Sequence, residues 1–155
     1  MKITLTLVFI ITLSILAFLF YLGYQSRTTI APGLSSGKLT QCPNTPNCVC
    51  SEIDKNLPHF IAPIPFEKSS HEKIFSILKQ EIQDLGGEVI IEKNNYLAAI
   101  FVSSIFRFVD DFEIRIDVEN NTIHIRSASR VGRSDMNVNR SRVEKFRTKI
   151  LNQLK

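Results

Sequence analysis

Residues 3–24 (ITLTLVFIITLSILAFLFYLGY) contain no charged side chain, and this run of 22 residues constrains the chain more than any other feature. At about 1.5 Å rise per residue it makes roughly 33 Å of helix, enough to cross a hydrocarbon core of about 30 Å. Secretory signals carry shorter apolar regions followed by a small-x-small cleavage site. Here the nearest such triplet, Thr29-Ile30-Ala31, runs into Pro32, so residues 1–24 read as an uncleaved single-pass membrane anchor. Leu39-Thr40-Gln41-Cys42 lies too far beyond the run to serve as a lipoprotein cleavage site. Tyr21 and Tyr24 suit the aromatic belt of a membrane interface.

The formal charge of +4 describes no part of the molecule. Residues 1–37 carry Lys2 and Arg27 alone. Residues 38–125 hold 8 Lys/Arg against 13 Asp/Glu, a balance of −5, and residues 126–155 hold 9 against 2, a balance of +7. All six prolines fall between Pro32 and Pro65, which divides the remainder again. Residues 25–41, small, polar and broken by Pro32, Gly33 and Gly37, read as a flexible tether. Residues 42–155 read as a single domain, beginning with a Pro-rich extended arm over 42–66. Leu57, Phe60, Ile61, Ile64 and Phe66 make that arm too apolar for a solvated linker, while its prolines forbid a long helix or a central strand. A multi-domain enzyme, a repeat array and a soluble cytosolic monomer are excluded.

Ser69 with Glu72 makes a capping-box pattern, and Ile74, Phe75, Leu78, Ile82 and Leu85 recur at helical spacing until Gly86-Gly87. Glu88–Lys93 and Tyr96–Val102 read as strands around an Asn94-Asn95 turn. Phe112, Ile114, Ile116 and Val118 alternate with charged residues, as do Ile123 and Ile125 after Asn120-Asn121, giving a second hairpin. Ser141 with Glu144 opens a last helix with Val143, Phe146, Ile150 and Leu154 on one face. The expected fold is α+β: an N-terminal transmembrane helix, then a two-layer sandwich in the order helix, four strands, helix, with both helices on one face of a four-stranded antiparallel sheet. Ile90, Leu97 and Phe101 are expected on the opposite face, under the arm with Phe60 and Phe66.

Cys42-Pro43, Pro46-Asn47-Cys48-Val49, Phe108-Val109-Asp110-Asp111, Arg126-Ser127-Ala128-Ser129-Arg130-Val131-Gly132, Ser134-Asp135 and Val138-Asn139-Arg140 with Arg142 together resemble the family called domain of unknown function 1499. The resemblance covers about residues 39–152 and is carried by the CPxxPNCV and RSASRxGxSD runs. It implies a small, membrane-associated or exported protein and no particular reaction. The chain departs from the family pattern at Cys50, where Ser is common, and at Asn137, where Gly is common; Asn tolerates the left-handed backbone such a turn needs.

Three readings of the cysteines stand side by side. Cys42 and Cys48 bracket a compact loop that a disulfide would close, which favours an oxidising compartment and places the domain on the extracytoplasmic or periplasmic side of the cell membrane. Cys50 is then an odd thiol able to attack that bridge, the basis of a thiol-disulfide oxidoreductase reading. A thiolate metal site recruiting His59 or His71 lacks the familiar spacing, so no metal and no cofactor are expected.

Asp110 and Asp111 are strand neighbours that point to opposite faces, so they do not form a shared acid-base pair. With Asn120-Asn121 as a two-residue turn, Asp117 faces His124, Arg115 faces Arg126 and Asp111 faces Arg130. Together with Glu113 these make a structural charge lattice. Arg126, Ser127, Arg130, Arg133, Ser134, Asp135, Asn139, Arg140 and Arg142 form the candidate site for an anion or a partner, around a turn that leads into a helix start. Nucleic acid is not expected outside the membrane and without stacking aromatics. Anionic lipid, glycan or an envelope protein are the partner classes, and the leading expectation is a non-enzymatic, membrane-anchored binding or accessory module.

Overall fold

The computed structural model describes residues 2–67 and 70–154. Lys2–Gln25 forms helix α1, apolar on every side and exposed along its length apart from its last turns. A helix hydrophobic all round has no core of its own to face, which suits a lipid environment. It is long and apolar enough to cross a membrane.

The chain then makes a short hairpin, β1 (Leu34–Ser35) and β2 (Lys38–Leu39), and enters the main sheet through β3 (Cys48–Cys50) and β4 (Ile64–Pro65). Helix α2 (His71–Asp84) follows, then β5 (Glu88–Lys93), β6 (Tyr96–Val102), β7 (Val109–Asp117), β8 (Thr122–Ser129) and helix α3 (Val138–Gln153). The main sheet has six strands rather than four. The order is β3-β8-β7-β6-β5, with β4 paired to the far end of β8. The two added strands come from the Pro-rich arm. They are short edge strands, the one place where a sheet accepts Pro65.

The helix-side core is built by period-2 and period-3.6 patterns that agree. Leu97, Ala99 and Phe101 of β6, Phe112, Ile114 and Ile116 of β7, and Ile123 and Ile125 of β8 meet Ile74, Phe75, Leu78 and Ile82 of α2 and Val143, Phe146 and Ile150 of α3. Phe112 stacks edge-on against Phe146 at 5.1 Å and Phe101 at 5.6 Å. Leu97 and Phe101 thus face the helices, opposite to expectation. Leu97 pairs with Ile114, which fixes its side, and a bulge between Val89 and Ile91 leaves Ile90 at 41% exposure. Ile61, Ile64 and Phe66 of the arm join this same core, not the other face.

Two helix starts differ from the capping-box reading. Ser70 is the N-cap of α2, accepting a hydrogen bond from Lys73 N–H, while Ser69 lies outside the described residues. Helix α3 begins three residues before Ser141. Asn137 precedes it in the left-handed region at φ 64°, the conformation Asn tolerates in place of Gly. Asp135 does the capping, accepting from Asn137 N–H at 3.1 Å and Asn139 N–H at 2.7 Å.

The second sheet face is covered by the segment read as a tether. Ala31 and Leu39 are buried against Cys50, Tyr96 and Ala98. Gly33 N–H donates to Glu113, and Leu39 N–H donates to Glu52. Residues 26–39 therefore lie along the sheet rather than swinging free of it.

Candidate functional site

The β7–β8 register decides which charges meet. The connection is four residues long, with Asp117 paired to Thr122 and Asn121 in the left-handed region, so the ladder is offset from that of a two-residue turn. Arg115 faces His124, Glu113 faces Arg126, and Asp111 faces Ala128. Along this ladder no two arginines stand opposite each other.

Most of the charge between Arg126 and Arg142 is neutralised inside the domain. Arg126 donates to Glu113 at 2.6 Å, and its Nε is buried without an acceptor among the described residues. Glu113, fully buried, also accepts from Tyr96 Oη at 2.7 Å and Gly33 N–H at 2.9 Å. Burial, and then the Glu113 charge, push the Tyr96 phenol well above its usual range. Arg130 is bidentate to Asp111 and also donates to the carbonyls of Ser26 and Thr29. Arg142 donates to Asp110 at 2.8 Å, lies 4.4 Å over the Phe101 ring, and reaches Ser127 and Asn139. The neighbouring carboxylates Asp110 and Asp111 thus serve different arginines on different faces of the sheet.

Asn47 and Asn139 staple the two motif-bearing stretches together. Asn139 Nδ2 donates to Asn47 O and Ser129 Oγ, while its Oδ1 accepts from Ser127 Oγ and Arg142. Asn47 Nδ2 in turn donates to Gly132 O. Cys42 and Cys48, six positions apart in the sequence, are joined in a disulfide.

Between the disulfide loop and the 130–137 turn lies a cleft of about 350 Å³, lined among others by Asn44, Thr45, His59, Arg133, Asp135 and Arg140. Arg140 donates to the carbonyls of Pro58 and Phe60, and among the described residues no carboxylate neutralises it. Arg133 is exposed and has no partner among the described residues. Ser134 is exposed beside it and accepts from Met136 N–H. The helix-start amides expected to hold an anion are already occupied by Asp135, which narrows the cationic part of the site to Arg133 and Arg140.

Cys50 is fully buried on the second sheet face, and burial raises its thiol above the ordinary value. A thiol exchanges with a disulfide as its thiolate, which this setting disfavours. No group of three or more metal-binding side chains occurs among the described residues.

Sequence reasoning missed one contact, because strand and loop positions far apart in the chain make it. Ser51 Oγ lies 3.3 Å from His124 Nδ1 in a separate cavity of about 470 Å³ with Glu52, Arg115 and Asp117. Ser51 Oγ also accepts from Ile125 N–H at 2.9 Å, and the nearby carboxylates are committed to Arg115: Glu52 at 2.8 Å and Asp117 at 3.2 Å. A serine-histidine dyad needs a third group to orient the base, and here both candidates are taken. The Asn120 side-chain and backbone N–H groups hold the Asp117 carboxyl below its ordinary range.

The structure thus defines a small α+β domain behind an apolar N-terminal helix, with a polar, cationic cleft where a disulfide loop meets a helix-leading turn. The chain belongs to the family described as protein of unknown function (DUF1499), which matches residues 38–150. The match takes in both walls of the cleft. No curated protein and no solved structure matches the chain.

Proposed function

We propose that the protein is a membrane-anchored binding module of the cell envelope, with its domain on the extracytoplasmic side and its cleft taking an anionic group of a ligand. The observation that carries this reading is that one cleft is lined by two arginines, Arg133 and Arg140, that have no carboxylate partner among the described residues. Guanidinium groups bind phosphate and carboxylate in a fixed fork, and Asp135 alone does not balance two of them. The cleft offers two guanidinium groups for holding a ligand, while the serine-histidine pair lies in a different cavity. Binding is favoured over turnover on that ground. The Cys42–Cys48 disulfide supports the oxidising side of the membrane, where such bonds persist. Anionic lipid, acidic glycan and an acidic surface of an envelope protein share the chemistry the cleft would recognise.

Native mass spectrometry of the full chain extracted from its own membrane tests the reading. The wild type is expected to retain an anionic adduct that Arg133→Ala loses. Equal spectra for the two proteins, with no adduct on either, would overturn it.

A further inference from the structure

The β6–β7 connection is a tight hairpin tip with an unusual surface. Ser103 and Phe108 close it, Ser103 N–H donating to Phe108 O and Phe108 N–H to Ser103 Oγ, both at 2.9 Å. Arg107 turns the chain at φ 60°. Exposed tips of this kind are ordinarily polar, yet this one carries Ile105, Phe106 and Phe108, with Ile105 at 69% exposure.

The tip does not stand alone, because it rests against the end of α1. The Phe106 and Phe20 rings meet edge-on at 5.3 Å, and Phe108 lies 5.9 Å from Phe106. A Cβ on Gly23 would fall 1.8 Å from Phe106 O, so the helix backbone and the tip touch directly, the close approach that small residues permit between packed membrane elements. Ser26, fully buried, completes the junction by accepting from Val109 N–H at 3.1 Å.

This contact sets a depth. Phe20 lies five residues before Gln25, roughly 7.5 Å down the helix axis at about 1.5 Å per residue. A bilayer core takes up about 20 residues of helix, which counted from Ile3 reach Leu22, so Phe20 lies at the lipid level. A side chain in contact with Phe20 lies near that level too. Arg27 and Arg107, both exposed, sit where headgroup phosphates would be, and Tyr21 and Tyr24 supply interfacial aromatics. Asp110 and Asp111, the carboxylates at this end of β7, are already paired with Arg142 and Arg130, so they do not oppose an anionic surface.

We propose that the Ile105–Phe108 tip is inserted in the interface of the same bilayer that holds α1, seating the domain on the membrane at two points. The proposal rests on the anchor reading of α1 and adds a second contact to it. The seat orients the cleft as well. Ser129 and Cys48 lie at the same end of the sheet as Val109 and Asp110, two strands away at most, or about 10 Å at a strand spacing of about 4.8 Å. The Arg133 turn therefore leaves the sheet beside the membrane-facing edge.

The chain has no tryptophan, so single substitutions give clean reporters. Full-length Ile105→Trp, Phe20→Trp and Val118→Trp would be reconstituted in phosphatidylcholine vesicles containing phosphatidylglycerol, with bromines near the headgroup end of the acyl chains. Val118 is 53% exposed in the turn at the far end of β7, and serves as the distant control. Quenching of Ile105→Trp together with Phe20→Trp, with Val118→Trp unquenched, is the expected result. Quenching of Phe20→Trp alone would overturn the inserted tip while leaving the anchor in place. If Phe20→Trp also kept its emission, the anchor reading itself would fall, and the seat with it. Adding Gly23→Leu to Ile105→Trp should reduce the quenching by forcing tip and helix apart; undiminished quenching would overturn the coupling of tip and helix on which the two-point seat rests.

Discussion

Glu113 has no exposed surface, and a buried carboxylate is tolerable only when its oxygens are fully engaged. Arg126, Tyr96 and Gly33 engage it from two strands and the covering segment, so one side chain ties three parts of the chain together. Replacing such a pair by apolar residues is often harmless, but removing one partner strands the other charge. Glu113→Ala is expected to cost about 3–5 kcal/mol, read as a lower urea midpoint with an unchanged slope. His124 gives a second expectation at this scale. Burial depresses its imidazole, with Arg115 and Lys38 acting the same way and Glu52 and Asp117 opposing. The unfolded chain then takes up a proton that the folded one resists, so stability is full above about pH 6.5 and falls as the pH drops below it. Urea midpoints measured between about pH 7.5 and pH 5 should show this decline, and His124→Gln should make it shallower. Identical slopes in the two proteins would refute the assignment.

At the scale of elements, the helices and four central strands were legible because two independent periods agreed on one buried face. Their connections were less so. Asn120-Asn121 has the composition of a two-residue turn, yet Asp117 accepts from Asn120 N–H and side chain, which widens the connection to four residues and moves every cross-strand charge pair. The start of α3 was obscured for a similar reason. Ser141 and Glu144 fit a capping pattern, but Asp135 reaches the amides first from a turn whose left-handed residues, Met136 and Asn137, are not glycines. The cleft was legible as two separate stretches and not as one place, since only the β3–β8 pairing brings Cys48 beside Ala128. Asp135 and Arg133 line this cleft together and should separate cleanly by measurement. Asp135→Ala removes a helix cap and is expected to cost about 1 kcal/mol. Arg133→Ala touches no partner among the described residues and should leave stability within about 0.5 kcal/mol, so a loss of adduct in that protein reports binding and not unfolding.

For the whole molecule, the decisive question is where the folded domain begins. Composition places the boundary at Cys42, because residues 25–41 are small, polar and interrupted by glycine and proline. Their contribution to the fold comes mostly from backbone groups, which leave no trace in a hydropathy pattern: Gly33 N–H on Glu113, Leu39 N–H on Glu52, and the Ser26 and Thr29 carbonyls on Arg130. The lattice of charges on the second sheet face needs those groups, since Glu113 and Asp111 are too buried for water to replace them. Ala31 and Leu39 add apolar cover over Cys50, Tyr96 and Ala98. Burying one leucine is worth about 1.5–3 kcal/mol and each hydrogen bond to a charged group about 1.5–3, so losing the segment should cost several kcal/mol even after its ordering entropy is returned. A truncated chain beginning at Ser26 is therefore expected to melt higher than one beginning at Cys42 by on the order of 10 °C, at roughly 3 °C per kcal/mol for a domain of this size. The shorter chain should also expose the Cys50 thiol to alkylation under native conditions, because Ala31 and Leu39 are part of what covers it. Equal melting temperatures and an equally protected thiol would return the segment to the role of a passive tether.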